Sequence, residues 1–129
     1  MISKENPPSA IMFGVINNRN KLIGVCGLTY IDWKNKHAEI SCYLTKDDWQ
    51  QSKEVVDTLK VLIKYGFEEL NLHRLWAEVF TIAQKNIDLL VKMKFVNEGR
   101  LRQKLWRNGK WWDSIIFSKL STEYMEIET

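Results

Sequence analysis

This 129-residue chain has only two cysteines, two histidines, two prolines and six glycines. Cys26 and Cys42 are too few for a disulfide-built scaffold, and each lies in an apolar strand-like run. They are expected as reduced core thiols. With only His37 and His73 to assist them, and no metal-ligand spacing, no metal site is expected. The prolines stand together as Pro7-Pro8, so residues 1 to 9 read as a loose leader. No stretch approaches the roughly 20 apolar residues of a membrane span, and residues 1 to 10 lack the apolar core of a signal peptide. A cytoplasmic protein without membrane contact is expected. An excess of one charge is also missing: 19 Lys and Arg face 16 Asp and Glu, a net charge of +3. That is too weak to indicate nucleic acid.

What is present reads as one ordinary folded domain, 45% apolar and 27% charged, and at this length it buries roughly two thirds of its unfolded surface. "AIMFGVINN" and "KLIGVCGLTYID" are apolar runs joined at Asn18-Arg19-Asn20, a hairpin signal. "AEISCYL" (38–44) follows the turn "WKNKH" as a third strand. The period then changes: Val55, Val56, Leu59, Leu62, Ile63, Phe67 and Leu70 form the stripe of a helix of about five turns. Asp48 with Gln51 resembles a capping box at its start, and Asn71 suits a left-handed stop.

"HRLWAEVF" (73–80) returns to period two. Strand, helix, strand at this spacing is a right-handed crossover, which makes 38–44 and 74–80 parallel neighbours. Thr81 with Gln84 reads as a capping box opening a helix with Ala83, Ile87, Leu90 and Val91 on its apolar side. "GRLRQKLWR" and "WWDSIIFSKL" flank Asn108-Gly109, the strongest hairpin signal in the chain. The acidic tail 121–129 is expected to fray. The order is βββαβαββ, an α+β domain with a mixed sheet.

Two clusters carry alternative readings. Arg100, Arg102, Lys104, Arg107 and Lys110 have no acidic residue among them. They form either the solvated face of a strand on which Leu101 and Leu105 alternate with charge, or a binding surface. Trp106, Trp111 and Trp112 suit cross-strand pairing, with a substrate platform or dimer patch as the alternative.

The segments "YGFEELNLHRLWAEVF" and "KMKFVNEGRLRQKLWRNGKWWDSIIFSKL", in this order and spacing, carry a resemblance. Over residues 11 to 120 the sequence resembles the GNAT superfamily of acetyl-CoA-dependent N-acetyltransferases, most closely the branch that modifies N-terminal amines of ribosomal proteins. The resemblance implies that the central parallel strands splay and receive the pantetheine arm of acetyl-CoA as an added strand. Cys42, Tyr43 and Leu44 would bind that arm. Trp49, Gln50, Gln51, Ser52 and Lys53 would hold the pyrophosphate at the turn and helix N-terminus. Glu39 matches the acidic strand residue that many members use as general base, its structural alternative being an ion pair on the sheet face.

Departures from the family pattern are specific. If Trp49 takes the first place of the pyrophosphate turn, Ser52 and Glu54 replace small residues, so "DDWQQSKEVV" contains no glycine. Ala83 stands where Asn is usual, Leu90 where many members have a thiolate-protonating Tyr, and Lys94 where Gly precedes Phe95. The N-terminal strand and two helices that wall the family's substrate groove have no counterpart before Ala10, which implies either a shortened relative or a homodimer that completes the groove. The expected function is acetyl transfer to a primary amine, on a small molecule or a peptide N-terminus. The alternatives are a GNAT-fold binding protein without catalysis and a nucleic-acid binder using residues 100 to 110.

Overall fold

The computed structural model describes residues 7–44 and 53–128. Six strands form one sheet in the order β1-β2-β3-β4-β6-β5: β1 (Ile11–Ile16), β2 (Leu22–Asp32), β3 (His37–Leu44), β4 (Arg74–Phe80), β5 (Val96–Arg107) and β6 (Lys110–Leu120). All neighbours run antiparallel except β3 and β4. The meander, the crossover and the final hairpin therefore follow the sequence pattern. At the hairpin turn Asn108 and Gly109 both have positive φ, 55° and 75°, the mirror-image turn that fits strand twist.

The helices are α1 (Lys53–Lys64), α2 (Gln84–Lys92) and α3 (Ser121–Glu128). α1 runs on into a π-helical turn, Tyr65–Glu69. Val55, Leu59, Leu62, Ile63 and Phe67 are buried from this stripe, and Asn71 takes the left-handed conformation at φ 56°. In the π turn, a Cβ on Gly66 would lie 3.1 Å from Leu75 and 3.3 Å from Leu28, so a glycine lets the chain approach the sheet closely here. The expected Asp48–Gln51 capping box lies outside the described residues.

The core is one-sided. Leu28, Ala38, Ile40, Leu75, Ala77, Val79, Ile115 and Phe117 project from one face of the sheet to meet the helices. The opposite face presents Thr29, Glu39, Ser41, Trp76, Glu78 and Ile116, the positions that alternate with these core residues, and no described helix covers it.

Four expectations are corrected. The Thr81–Gln84 capping box does not form. Ala83 occupies the cap position without a side-chain bond, Thr81 Oγ1 accepts from Asp113 N–H at 3.1 Å, and Gln84 Nε2 donates to Asp88 at 2.9 Å. Second, α2 buries Leu89 beside Leu90, with Ala83 and Ile87 partly buried against the core as expected, while Val91 is 57% exposed. Third, residues 121–128 are helical where a frayed tail is expected: Glu123 accepts from Leu120 N–H at 2.8 Å, and Tyr124 is buried against Phe67 with its hydroxyl on Glu68. Fourth, the end of the expected leader is tied down, with Trp33 Nε1 donating to Pro8 O at 2.7 Å and Ile31 N–H to Ser9 O at 2.9 Å.

Candidate active site

β3 and β4 pair over only three positions, His37 with Arg74, Ala38 with Leu75 and Glu39 with Trp76. Beyond them β3 continues to Leu44 and β4 to Phe80, so the two strands separate at their C-terminal ends. The opening is a cleft of about 330 Å³, walled by residues 39–43 and 77–80 and floored by Leu59, Asn86, Leu89 and Leu90. On the uncovered face a second hollow of about 560 Å³ is bordered by Thr29, Tyr30, Glu39, Ser41, Tyr43, Trp76 and Glu78. Glu39, Ser41, Tyr43 and Glu78 border both. The splay therefore joins the two sides of the sheet at Glu39.

Glu39 is the last β3 residue in the parallel ladder and is half-buried. Burial pushes its carboxyl above the usual range, the Glu78 charge adds to this, and Lys104 offsets part of it. Its neighbour behaves oppositely. Burial would raise Glu78, but the Lys104 ammonium, 2.5 Å away, and the Ser114 hydroxyl outweigh it and leave Glu78 below its ordinary value. Two carboxylates whose surroundings drive their pKa values apart are the arrangement that separates a proton acceptor from a fixed charge. Nearby, Thr29 Oγ1 and Ser41 Oγ share a hydrogen bond of 2.8 Å.

Of the residues expected to bind cofactor, Cys42 and Tyr43 lie in the cleft wall, and Leu44 ends β3. Trp49, Gln50, Gln51 and Ser52 lie outside the described residues, whereas Lys53 is the exposed first residue of α1. Glu54, the acid expected to crowd a phosphate, is exposed and borders the groove between α1 and β1. Sequence reasoning missed Glu78, Trp76 and Asn86. Period two gives the signal for the first two, since any residue an odd number of steps from a core position of β4 shares the Glu39 face.

The basic run is partly engaged. Arg100 pairs with Asp113 and Lys104 with Glu78, both at 2.5 Å. Nor do its leucines simply alternate with charge. Between the pairs Leu101–Ser114 and Leu105–Trp112, three β5 residues face Asp113 alone, and Gln103 turns to φ 52°. Asp113 holds this bulge, accepting from Gln103 N–H at 2.7 Å and from Arg100 Nε; those two bonds lower its pKa against a small burial effect. Trp106 and Trp111 stack edge to face with centroids 5.1 Å apart, and both remain more than half exposed. His73 bonds Ser121 at 2.8 Å, where β4 begins, at the opposite end from the cleft. Among the described residues no cluster of His, Cys, Asp and Glu could hold a metal ion, and no helix is long and apolar enough to cross a membrane.

Comparison with known proteins agrees with this architecture. Residues 1–116 match the acetyltransferase (GNAT) domain family. An uncharacterised N-acetyltransferase, p20, of Bacillus licheniformis is 34% identical over 85% of this chain and 61% of its own length. The ribosomal protein uS5 alanine N-acetyltransferase of Escherichia coli is 26% identical over 84% and 56%. A dodecameric spermidine N-acetyltransferase structure from Vibrio cholerae superposes with a TM-score of 0.84 at 24% identity, covering 94% of this chain and 70% of that one. The chain thus spans about three fifths of the length of these curated relatives. By its family match and its splayed six-stranded sheet, this chain belongs to the GNAT acetyltransferase family, whose members use acetyl-CoA as co-substrate.

Proposed function

We propose that this protein is an acetyl-CoA-dependent N-acetyltransferase of the cytoplasm that acetylates a primary amine, with Glu39 as general base. The observation that carries this reading is the three-pair β3–β4 ladder with Glu39 at its end. Past that point the facing edges of residues 40–44 and 77–80 are not paired to each other, and an amide-containing arm can complete one of them as a short added strand. Cys42, Tyr43 and Leu44 offer that edge. α1, described from Lys53, follows β3 in the chain, and the N–H groups of a helix start would favour the cofactor's pyrophosphate.

The acceptor enters from the uncovered face. A primary amine of pKa near 10.4 is unprotonated in about one molecule in a few thousand at pH 7, so its attack needs a proton acceptor. Glu39 takes the proton that frees the nitrogen lone pair, the neutral nitrogen bonds to the thioester carbonyl carbon, and the second N–H proton passes from the tetrahedral adduct to water. Backbone N–H groups at the splay stabilise the charge that develops on the carbonyl oxygen. The carbon–sulfur bond then breaks, and the departing thiolate takes a proton from water, because the position of the family's tyrosine is the buried Leu90. Glu78, fixed as an anion by Lys104, holds the approaching ammonium in the hollow. The names of the relatives suggest two acceptors for trial, an N-terminal alanine peptide and spermidine. A second copy of the chain covers the bare face and completes the acceptor groove, which sedimentation showing only monomer would refute.

The test is calorimetric titration with acetyl-CoA and CoA, followed by an amine screen with wild type and Glu39→Gln. Micromolar binding and a Glu39→Gln rate reduced at least 100-fold are expected, the usual scale of general base catalysis. No cofactor binding up to millimolar would refute the enzyme reading in favour of a non-catalytic GNAT-fold protein.

A further inference from the structure

Cys26 and Cys42 stand directly opposite one another in the antiparallel β2–β3 ladder. Directly opposed residues in such a ladder have Cα atoms about 4.5 or 5.5 Å apart, according to the type of pair. Both spacings fall within the roughly 4.4–6.8 Å that a disulfide spans. Both side chains point to the helix side of the sheet, and the two thiols share a hydrogen bond. Their surroundings differ. Cys26 is buried at 4% exposure, whereas Cys42 is half-buried and forms part of the cleft wall between β3 and β4.

We propose that Cys26 and Cys42 form a reversible disulfide in the wall of the cofactor cleft, made by a small peroxide and blocked when the cleft is occupied. The blocking clause rests on the cofactor reading above; the disulfide does not. Peroxide reaches the Cys42 sulfur through the cleft. That sulfur takes one oxygen, becoming a sulfenic acid and releasing hydroxide. The Cys26 sulfur then attacks the Cys42 sulfur, the S–S bond forms, the S–O bond breaks, and a second hydroxide leaves. Overall two thiols and one hydrogen peroxide give one disulfide and two waters, with two electrons passing from sulfur to peroxide and the thiol protons ending in water. Access sets this order, because Cys42 borders the cleft while Cys26 is buried behind it. Cys26, whose pKa is lowered by the Cys42 S–H, is the sulfur better suited to the second step, the attack on the sulfenic acid. Bonding needs no rearrangement of the fold, because the ladder already holds the two positions in register.

The experiment exposes the full chain to hydrogen peroxide and follows free thiols, intact mass and a non-reducing peptide map. The expected result is loss of both thiols, a mass lower by two hydrogens, a linked Cys26–Cys42 peptide, and recovery with dithiothreitol. Cys26→Ser is expected to gain oxygen instead of losing hydrogen. Persistent thiols at peroxide levels that oxidise a free thiol control, separate sulfinic acids in the wild type, or only intermolecular dimers would each overturn the proposal, and the map on the unaltered chain decides this even if the variant does not fold. Acetyl-CoA, which has no free thiol to consume peroxide or reduce the disulfide, is expected at ten times its calorimetric Kd to slow oxidation about tenfold, the factor set by the unoccupied fraction. Binding without slowing would overturn the blocking clause. Absence of acetyl-CoA binding with a disulfide still formed would refute the cofactor reading and leave the disulfide standing.

Discussion

Replacing Lys94 with glycine should make this protein more stable. Lys94 follows α2 at φ 68°, and the helix end around it is closed by two bonds, Phe95 N–H to Leu90 O at 3.0 Å and Lys94 N–H to Val91 O at 3.0 Å. That is the double-bonded C-terminal motif whose left-handed position normally holds glycine. A Cβ in this conformation costs roughly 1–2 kcal/mol, against about 0.4–1 kcal/mol for the extra freedom that glycine gives the unfolded chain. The difference favours Lys94→Gly by about 0.5–1 kcal/mol. In a domain of this size that raises Tm by about 2–4 °C. Lys94→Ala is the control, since it removes the same charge and stem but keeps the Cβ. Thermal and urea unfolding of the three proteins supply the comparison. If Lys94→Gly is no more stable than Lys94→Ala, the strain assigned to this helix end is not there.

Glu39→Gln is expected to trade activity for stability. A folded carboxyl pKa above the unfolded value lowers stability as pH rises through that interval, and the loss stays constant above it. The Gln variant should therefore be the more stable protein at pH 8, with the gap closing below the ordinary glutamate value of about 4.3; a gap that persists at pH 3 would show that it comes from packing. Asp113 has the opposite sign. Its depressed pKa contributes stability above the ordinary aspartate value of about 3.9 that is lost as pH falls through the folded pKa. Asp113→Ala should speed hydrogen exchange at the Gln103 amide, which bonds the carboxylate, while the Thr81 amide, held by the Asp113 main-chain carbonyl at 2.8 Å, stays protected; equal exchange at both would refute the bulge assignment. Gly27→Ala should loosen β1, because its Cβ would sit 2.1 Å from Ile11 O and 2.8 Å from Met12 Cα. A loss of about 3 kcal/mol or more in urea unfolding is expected, at the upper end of overpacking costs, and a neutral effect would contradict the β1–β2 spacing.

The element order and the parallel pair were legible because each rests on periodicity. Asn71 and Asn108-Gly109 were legible because residue type there is set by backbone conformation. Helix starts were less so: Thr81 and Gln84 have the right spacing for a box, but the Asp113 main chain, 32 positions away, competes for the threonine hydroxyl. The tail was misread because composition does not show that Tyr124 meets Phe67. At the site, Glu39 could be named from its motif, yet its raised pKa comes first from burial and then from Glu78, with Lys104 offsetting part of it, groups brought together only when β4 and β5 flank β6.

The three-pair seam between β3 and β4 makes the sheet two plates, β1-β2-β3 and β4-β6-β5, joined edge to edge by a short weld at one end. Along the joint the hydrogen-bonded ladder is interrupted, and past the weld the two plates share only the core packed beneath them. A guest that hydrogen-bonds one free edge and packs against the other works as a rivet. Its arrival would then be felt less as a local contact than as a rise in the rigidity of the whole molecule, measurable at strands that never touch it.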